Sequence, residues 1–326
     1  MLRILLIVLA LATPAFAGEE LLNVSYDPTR ELWKSVNQTF SPAWQQKSGE
    51  PIEIKQSHGG SGTQARAVVD GLEVYVVTLA MWPDTDAIRK VGLISEGWES
   101  RFPNNSTPYN STIVFLVRKG NPKGIKDWAD IIKPGVEIVT PNPKTSGAGK
   151  LAFLTAWGQV LQSGGTEAQA KEFVTSLYKQ APVLDSGARA SSVTFAQKGI
   201  GDVQLTWENE AHLQIKETPG EFEIVFPSIS FLAEPPVAVV DVNARRHGTT
   251  EAAKAYLDFL YTPAGQELIA QNYYRPIDPA VAAKYQSQFP TLKFFKVDAV
   301  AKDWNDAYAK FFGDGQIFDS IYQPGK

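Results

Sequence analysis

The chain has 326 residues, 44% of them hydrophobic, which is enough for two lobes with separate cores. It contains no cysteine, so thiolate metal sites, thiol catalysis and disulfide staples are excluded. Its 31 Lys+Arg against 35 Asp+Glu leave a formal charge of −4, which argues against non-specific binding to nucleic acid or anionic membranes.

Residues 1–17 read as a cleaved signal peptide. Arg3 gives a weak basic start, Ile4 to Ala12 an apolar run, and Ala15-Phe16-Ala17 an A-x-A cleavage site. The run is too short for a spanning helix, which needs about 18 apolar residues or more. Export and a mature chain from Gly18 are therefore expected.

Leu21 to Tyr26 reads as a buried strand, and Pro28 as a first helical residue. Trp33, Val36, Phe40 and Trp44 then recur at helical spacing. Ile52 and Ile54 alternate with polar residues as in a strand, Thr63 to Leu72 reads as a helix, and Val76 to Leu79 as a strand. Further strands are expected at 111–118, 136–140, 203–207, 222–226 and 237–242. Helices are expected at 127–132, 151–162, 173–179, from 250 onward and at 265–271. This alternation predicts an α/β fold with mainly parallel sheets. With no long linker, two lobes joined by crossing strands fit best, the crossings falling near 111–118 and 222–240.

Four Gly/Ser-rich or Pro-marked turns, YDPTRE at 26–31, SHGGSG at 57–62, TSGAGK at 145–150 and DSGARASS at 185–192, each sit between a strand and a helix. A helix start presents free N–H groups and the positive end of its dipole. Several converging starts would bind an anion without Lys or Arg. Asp27 would cap its own helix with its carboxylate, leaving its amide for the ligand. Ser61 would cap the next helix and can offer its hydroxyl. Trp207 ends a strand beside Glu208 and Asn209, and its indole N–H is a neutral donor, although a core role fits this residue as well. Arg189 can meet an anion or pair with a carboxylate.

Other chemistries fare worse. TSGAGK lacks the Ser/Thr after Lys150 and the earlier Gly of a phosphate loop. The three histidines, His58, His212 and His247, are not at metal-ligand spacing. A serine hydrolase using His58 and Ser61 is the alternative from a different class. It lacks the G-x-S-x-G elbow and needs a carboxylate beside His58.

The segments LLNVSYDPTRE at 21–31, QSHGGSG at 56–62, STIVFLVRKGNPK at 111–123, VTPNPKTSG at 139–147, VLDSGAR at 183–189, GIGDV and TWENEA within 199–211, and YYRP at 273–276 together resemble the periplasmic sulfate-binding proteins of ABC importers. The resemblance runs in order over nearly the whole mature chain. It implies a type II two-lobed periplasmic-binding fold that closes on a buried sulfate about a hinge. The lobes would be 18–115 plus 228–326, and 116–227. The implied donors are the amides of Asp27, Ser61, Gly147, Ala148 and Ala188, the Ser146 hydroxyl and the Trp207 indole. No catalytic residue, metal or cofactor is implied. The implied partner is an inner-membrane ABC permease, and the receptor is expected to be monomeric. Thiosulfate or another tetrahedral oxyanion is the alternative ligand. The chain departs from the family pattern at Ala148, at Val74-Tyr75 and at Met81-Trp82-Pro83-Asp84. The last two stretches are expected on the strand after the SHGGSG helix, near the cleft or hinge.

Overall fold

The structure, a computed structural model, describes residues 19–322. The signal-peptide reading of 1–17 lies outside the described residues. In chain order the strands are β1 (Glu19–Tyr26), β2 (Ile52–Gly59), β3 (Val76–Thr78), β4 (Tyr109–Asn110), β5 (Ile113–Arg118), β6 (Ile138–Pro141) and β7 (Leu184–Asp185). They continue as β8 (Val203–Trp207), β9 (Phe222–Val225), β10 (Ile229–Phe231), β11 (Val237–Val239), β12 (Arg275–Pro276) and β13 (Lys293–Phe295). One sheet has the order β11-β3-β1-β2 and a second β7-β6-β8-β5-β9. In the first, β1 runs parallel to both neighbours and β11 is antiparallel to β3. In the second, β6 is parallel to β7 and β8, whereas β5 is antiparallel to β8 and β9. The fold is thus mixed α/β as the sequence predicts, with one large sheet per lobe and two further two-stranded pairings, β10 with β13 and β12 with β4.

Eight helices build the cleft and its supports: α1 (Arg30–Ser48), α2 (Ser61–Val69), α3 (Trp82–Lys90), α4 (Trp128–Ile131), α5 (Gly147–Gln162), α6 (Glu167–Lys179), α7 (Ala188–Ser192) and α8 (Glu208–Glu217). The apolar face of α1 is the expected one: Trp33, Val36, Phe40 and Trp44 are all buried, and Gly49 ends the helix with φ +82°. Helix α5 differs, because almost every residue through Gln159 is buried. A helix buried on all sides belongs in a core, and its few buried polar residues, such as Lys150, must find partners there.

Each lobe carries a hydrophobic core on both faces of its sheet. The chain crosses between them where Ser111 pairs with Ala233 in an antiparallel bridge. Thr112 Oγ1 donates to Phe231 O at 2.9 Å, and Ser230 Oγ donates to Ile113 O at 2.9 Å. β10 pairs in parallel with β13, which adds a third crossing. Phe295, Val300, Phe311, Phe312 and Phe318 are buried in the core of α5 and α6, in the second lobe. The stretch 81–84 differs from expectation: it opens α3, because Pro83 sits at the start of that helix.

Candidate functional site

All four turns join strand to helix as predicted. Asp27 is the first residue of a tight helical turn running into α1, and Ser61 begins α2. Gly147 and Ala148 begin α5, and Ala188 begins α7. The amides at these positions have no carbonyl partner within their own helices. Trp207 is the last residue of β8 and precedes α8.

The structure brings all seven candidate residues to one cavity, together with Tyr26, Pro28, Gly59 and Gly60. The cavity is very small, about 10 Å³, far below the roughly 300 Å³ of ordinary small-molecule pockets. A small ion fits this scale and a sugar does not. Among the described residues no Lys, Arg or His lines it.

The donors differ in how they are held. Trp207 is fully buried, and its indole Nε1 has no hydrogen-bond partner among the described residues. The indoles of Trp33, Trp98 and Trp157 also lack partners among the described residues, but only that of Trp207 lines the cavity. There a ligand can supply the acceptor that a buried donor needs. Ser146 caps α5, its Oγ accepting from Gly149 N at 3.4 Å, so its O–H remains free to donate. Ser61 is different. Its Oγ donates to Asp84 Oδ2 at 2.6 Å and accepts from Ala80 N at 3.0 Å. Its hydroxyl is therefore committed, only its amide serves the cavity, and Gly60 rather than Ser61 is the cap.

Asp27 does not cap its helix either, since that turn has no side-chain cap. Its carboxylate is tucked against Gly187, where a Cβ would lie 2.5 Å from Oδ2. Burial holds this carboxyl above the usual range, with Arg30 and Arg189 pulling it partly back. Arg189 pairs with Glu217 at 3.7 Å.

Charged groups behind the cavity are matched in pairs across the lobes. Arg30 donates to Glu210 at 3.0 Å, and Arg275 grips Glu208 at 2.7 and 2.8 Å. Burial raises both glutamates above the usual range while their arginines oppose it. Asn209 Nδ2 donates to Pro28 O at 3.1 Å and closes this side. On the other side Lys150 meets Asp84 at 3.4 Å, both about 5% exposed. The sequence marks Asp84 only as a departure and Lys150 only as a failed phosphate-loop lysine. Val74 and Tyr75 lie away from the cavity, with Tyr75 against His247 at 5.4 Å.

The hydrolase pair does not form. His58 Nδ1 lies 2.6 Å from Ser25 Oγ, while Ser61 is bound to Asp84. Burial lowers the His58 pKa below its ordinary value.

Comparison with known proteins gives a consistent set. The family described as bacterial extracellular solute-binding protein matches residues 34–275. The sulfate-binding protein of Escherichia coli K12 is 53% identical over 313 residues, covering 95% of each chain. The thiosulfate-binding protein of Pseudomonas aeruginosa is 49% identical over 318 residues, covering 97% of this chain and 96% of the relative. The solved structure of the sulfate-binding protein SubI from Mycobacterium tuberculosis superposes with a TM-score of 0.81 at 30% identity, covering 89% of this chain and 98% of that one.

Proposed function

The chain belongs to the bacterial extracellular solute-binding proteins, and from that premise we propose that it is a periplasmic receptor that captures sulfate between its lobes and hands it to an ABC importer. The observation that carries this reading is the buried, unpartnered Trp207 indole in a cavity walled by helix starts and free of cationic side chains.

Sulfate enters as a fully ionised dianion. The amides of Asp27, Ser61, Gly147, Ala148 and Ala188, the Ser146 hydroxyl and the Trp207 indole donate to its oxygens. Fixed N–H dipoles in a small, water-poor site stabilise charge without a counter-cation. No bond is made or broken. The set also selects against phosphate, which carries a proton near neutral pH. That proton would meet donors only, at a cost of roughly 1–3 kcal/mol.

The lobes close about the Ser111–Ala233 pairing and its neighbours. The first lobe then comprises the β1 sheet with its helices, and the second the β5 sheet together with the last thirty or so residues. The receptor acts in the periplasm as a monomer. Among the described residues no helix is long and apolar enough to cross a membrane.

Titration calorimetry with sulfate, thiosulfate, phosphate and molybdate tests the reading. Tight one-to-one sulfate binding with no phosphate response is expected. Phosphate binding as tight as sulfate would overturn it. Thiosulfate is the second reading, favoured by the 49% identical relative, and its arm of the titration decides between the two.

A further inference from the structure

We propose that the Tyr308 hydroxyl is a positioning group for anion capture: it ties the C-terminal strap of the second lobe to Asp84 of the first, and so fixes the closed cleft. This rests on the sulfate reading above.

The strap comes after the third crossing and packs on the second lobe. Phe311 meets Phe153 and Trp157 at ring-centroid distances of 5.4 and 5.0 Å. Lys144 lies two residues before Ser146, in the loop that feeds α5. It donates to Phe312 O at 3.0 Å and pairs with Asp319 at 2.9 Å. The strap is thus fastened to the loop that presents Ser146, Gly147 and Ala148.

Its other side reaches the first lobe. Tyr308 donates to Asp84 Oδ1 at 2.9 Å. Asp84 Oδ2 in turn accepts from Ser61 at 2.6 Å, at the start of α2. Lys90 at the end of α3 donates to Asn305 Oδ1 at 3.0 Å, a second link to the strap. Lys150 lies 4.8 Å from the Tyr308 ring centroid and 3.4 Å from Asp84, so two second-lobe groups converge on one first-lobe carboxylate.

Where each donor sits decides what it does. Ser61 and Asp84 share a lobe, so their bond survives opening. The Tyr308 bond crosses the cleft and exists only when the lobes meet. When they part, water replaces it on both partners, and little is lost. When they close on the anion, the phenol completes the coordination of Asp84, which holds Ser61 and hence the first turn of α2 against the ligand. Tyr308 therefore acts on the closed state, chiefly by slowing release.

The test is Tyr308→Phe, which keeps the ring under Lys150 and removes only the O–H. Sulfate affinity should fall roughly tenfold, through a faster koff with kon within about twofold. The melting temperature of the ligand-free protein should stay unchanged. Unchanged affinity would overturn the proposal, as would a loss of affinity matched by a drop in the ligand-free melting temperature. Wild-type protein titrated alongside separates the two claims. If it fails to bind sulfate, the functional reading falls. If it binds and the variant binds equally well, only the role of Tyr308 falls. A double-mutant cycle with Asp84→Asn is the second measurement. Because an asparagine oxygen would still accept from the phenol, the cycle is completed with Asp84→Ala as well. Tyr308→Phe should cost much less in the Asp84→Ala background, and additive effects there would overturn the link.

Discussion

The Trp207 indole lies against the Tyr26 ring, with centroids 5.3 Å apart and planes at 43°. Both line the cavity, and Tyr26 immediately precedes the Asp27 donor. One packing contact therefore orients a second-lobe donor against the first-lobe strand that carries another. The ring serves packing, whereas the N–H has no partner among the described residues.

Trp207→Phe should separate these roles. It keeps an aromatic surface and deletes the donor. A hydrogen bond to a charged group contributes about 1.5–3 kcal/mol, so sulfate affinity should fall roughly ten- to a hundredfold. The ligand-free melting temperature should move little, because most of the volume is retained. Calorimetry and thermal melting on the same variant check both. A lowered melting point with intact affinity would make Trp207 a core residue only.

Sulfate affinity should be nearly flat from pH 5 to 8. The proposed donor groups do not titrate there, and burial favours neutral His58 by lowering its pKa. The Asp27 carboxyl, which burial raises above its usual range, lies against Gly187. Titrations at pH 5, 6.5 and 8 check this. A tenfold change across that range that vanishes in His58→Ala would put His58 in the site. A loss of affinity toward pH 5 that persists in His58→Ala would assign the coupling to Asp27.

Much of the site can be read in the sequence because its signals are local. A Gly or Pro near a strand end marks a turn, and the helix start follows soon after it: one residue past the strand at Asp27, two at Ser61, three at Ala188 and six at Gly147. What cannot be read depends on distance. Asp84 and Tyr308 are 224 residues apart, and nothing near either position announces the other. The β10–β13 pairing likewise joins segments far apart in sequence, and neither strand announces the other. The caps expected of Asp27 and Ser61 do not form because tertiary partners win. Gly187 packs on the Asp27 carboxylate and Asp84 takes the Ser61 hydroxyl. Local propensity sets where a helix starts, and packing decides what its first side chain does.

Acid stability should depend on His212. Its ring stacks on Tyr273 at 4.7 Å, and its buried Nε2 has no partner among the described residues. Burial, with Arg275 nearby, lowers its pKa from 6.5 to about 4. As pH falls from about 6.5, the unfolded chain takes up a proton that the fold refuses, so stability falls until pH about 4. The drop in melting temperature between pH 7 and pH 4.5 should be larger in wild type than in His212→Gln. Equal drops would show that the ring is solvated in the fold.

Gly60→Ala tests the closure itself. Gly60 caps α2 with φ −59° and ψ 130°, a conformation that alanine adopts freely. In the closed cleft, however, an added Cβ would lie 2.7 Å from Thr145 O and 3.2 Å from Ser186 O, both on second-lobe turns of the site. The clash therefore belongs to the closed state. Overpacking of this kind costs about 1–3 kcal/mol, so sulfate affinity should fall roughly tenfold or more. The ligand-free protein should melt no lower than wild type, and slightly higher if the loss of glycine freedom in the unfolded chain adds its usual 0.4–1 kcal/mol or so. A mutation that weakens binding while leaving the fold as stable or more so is the mark of a site assembled by closing. Unchanged affinity in Gly60→Ala would mean that the turns at Gly60 and Thr145 do not meet around the bound anion.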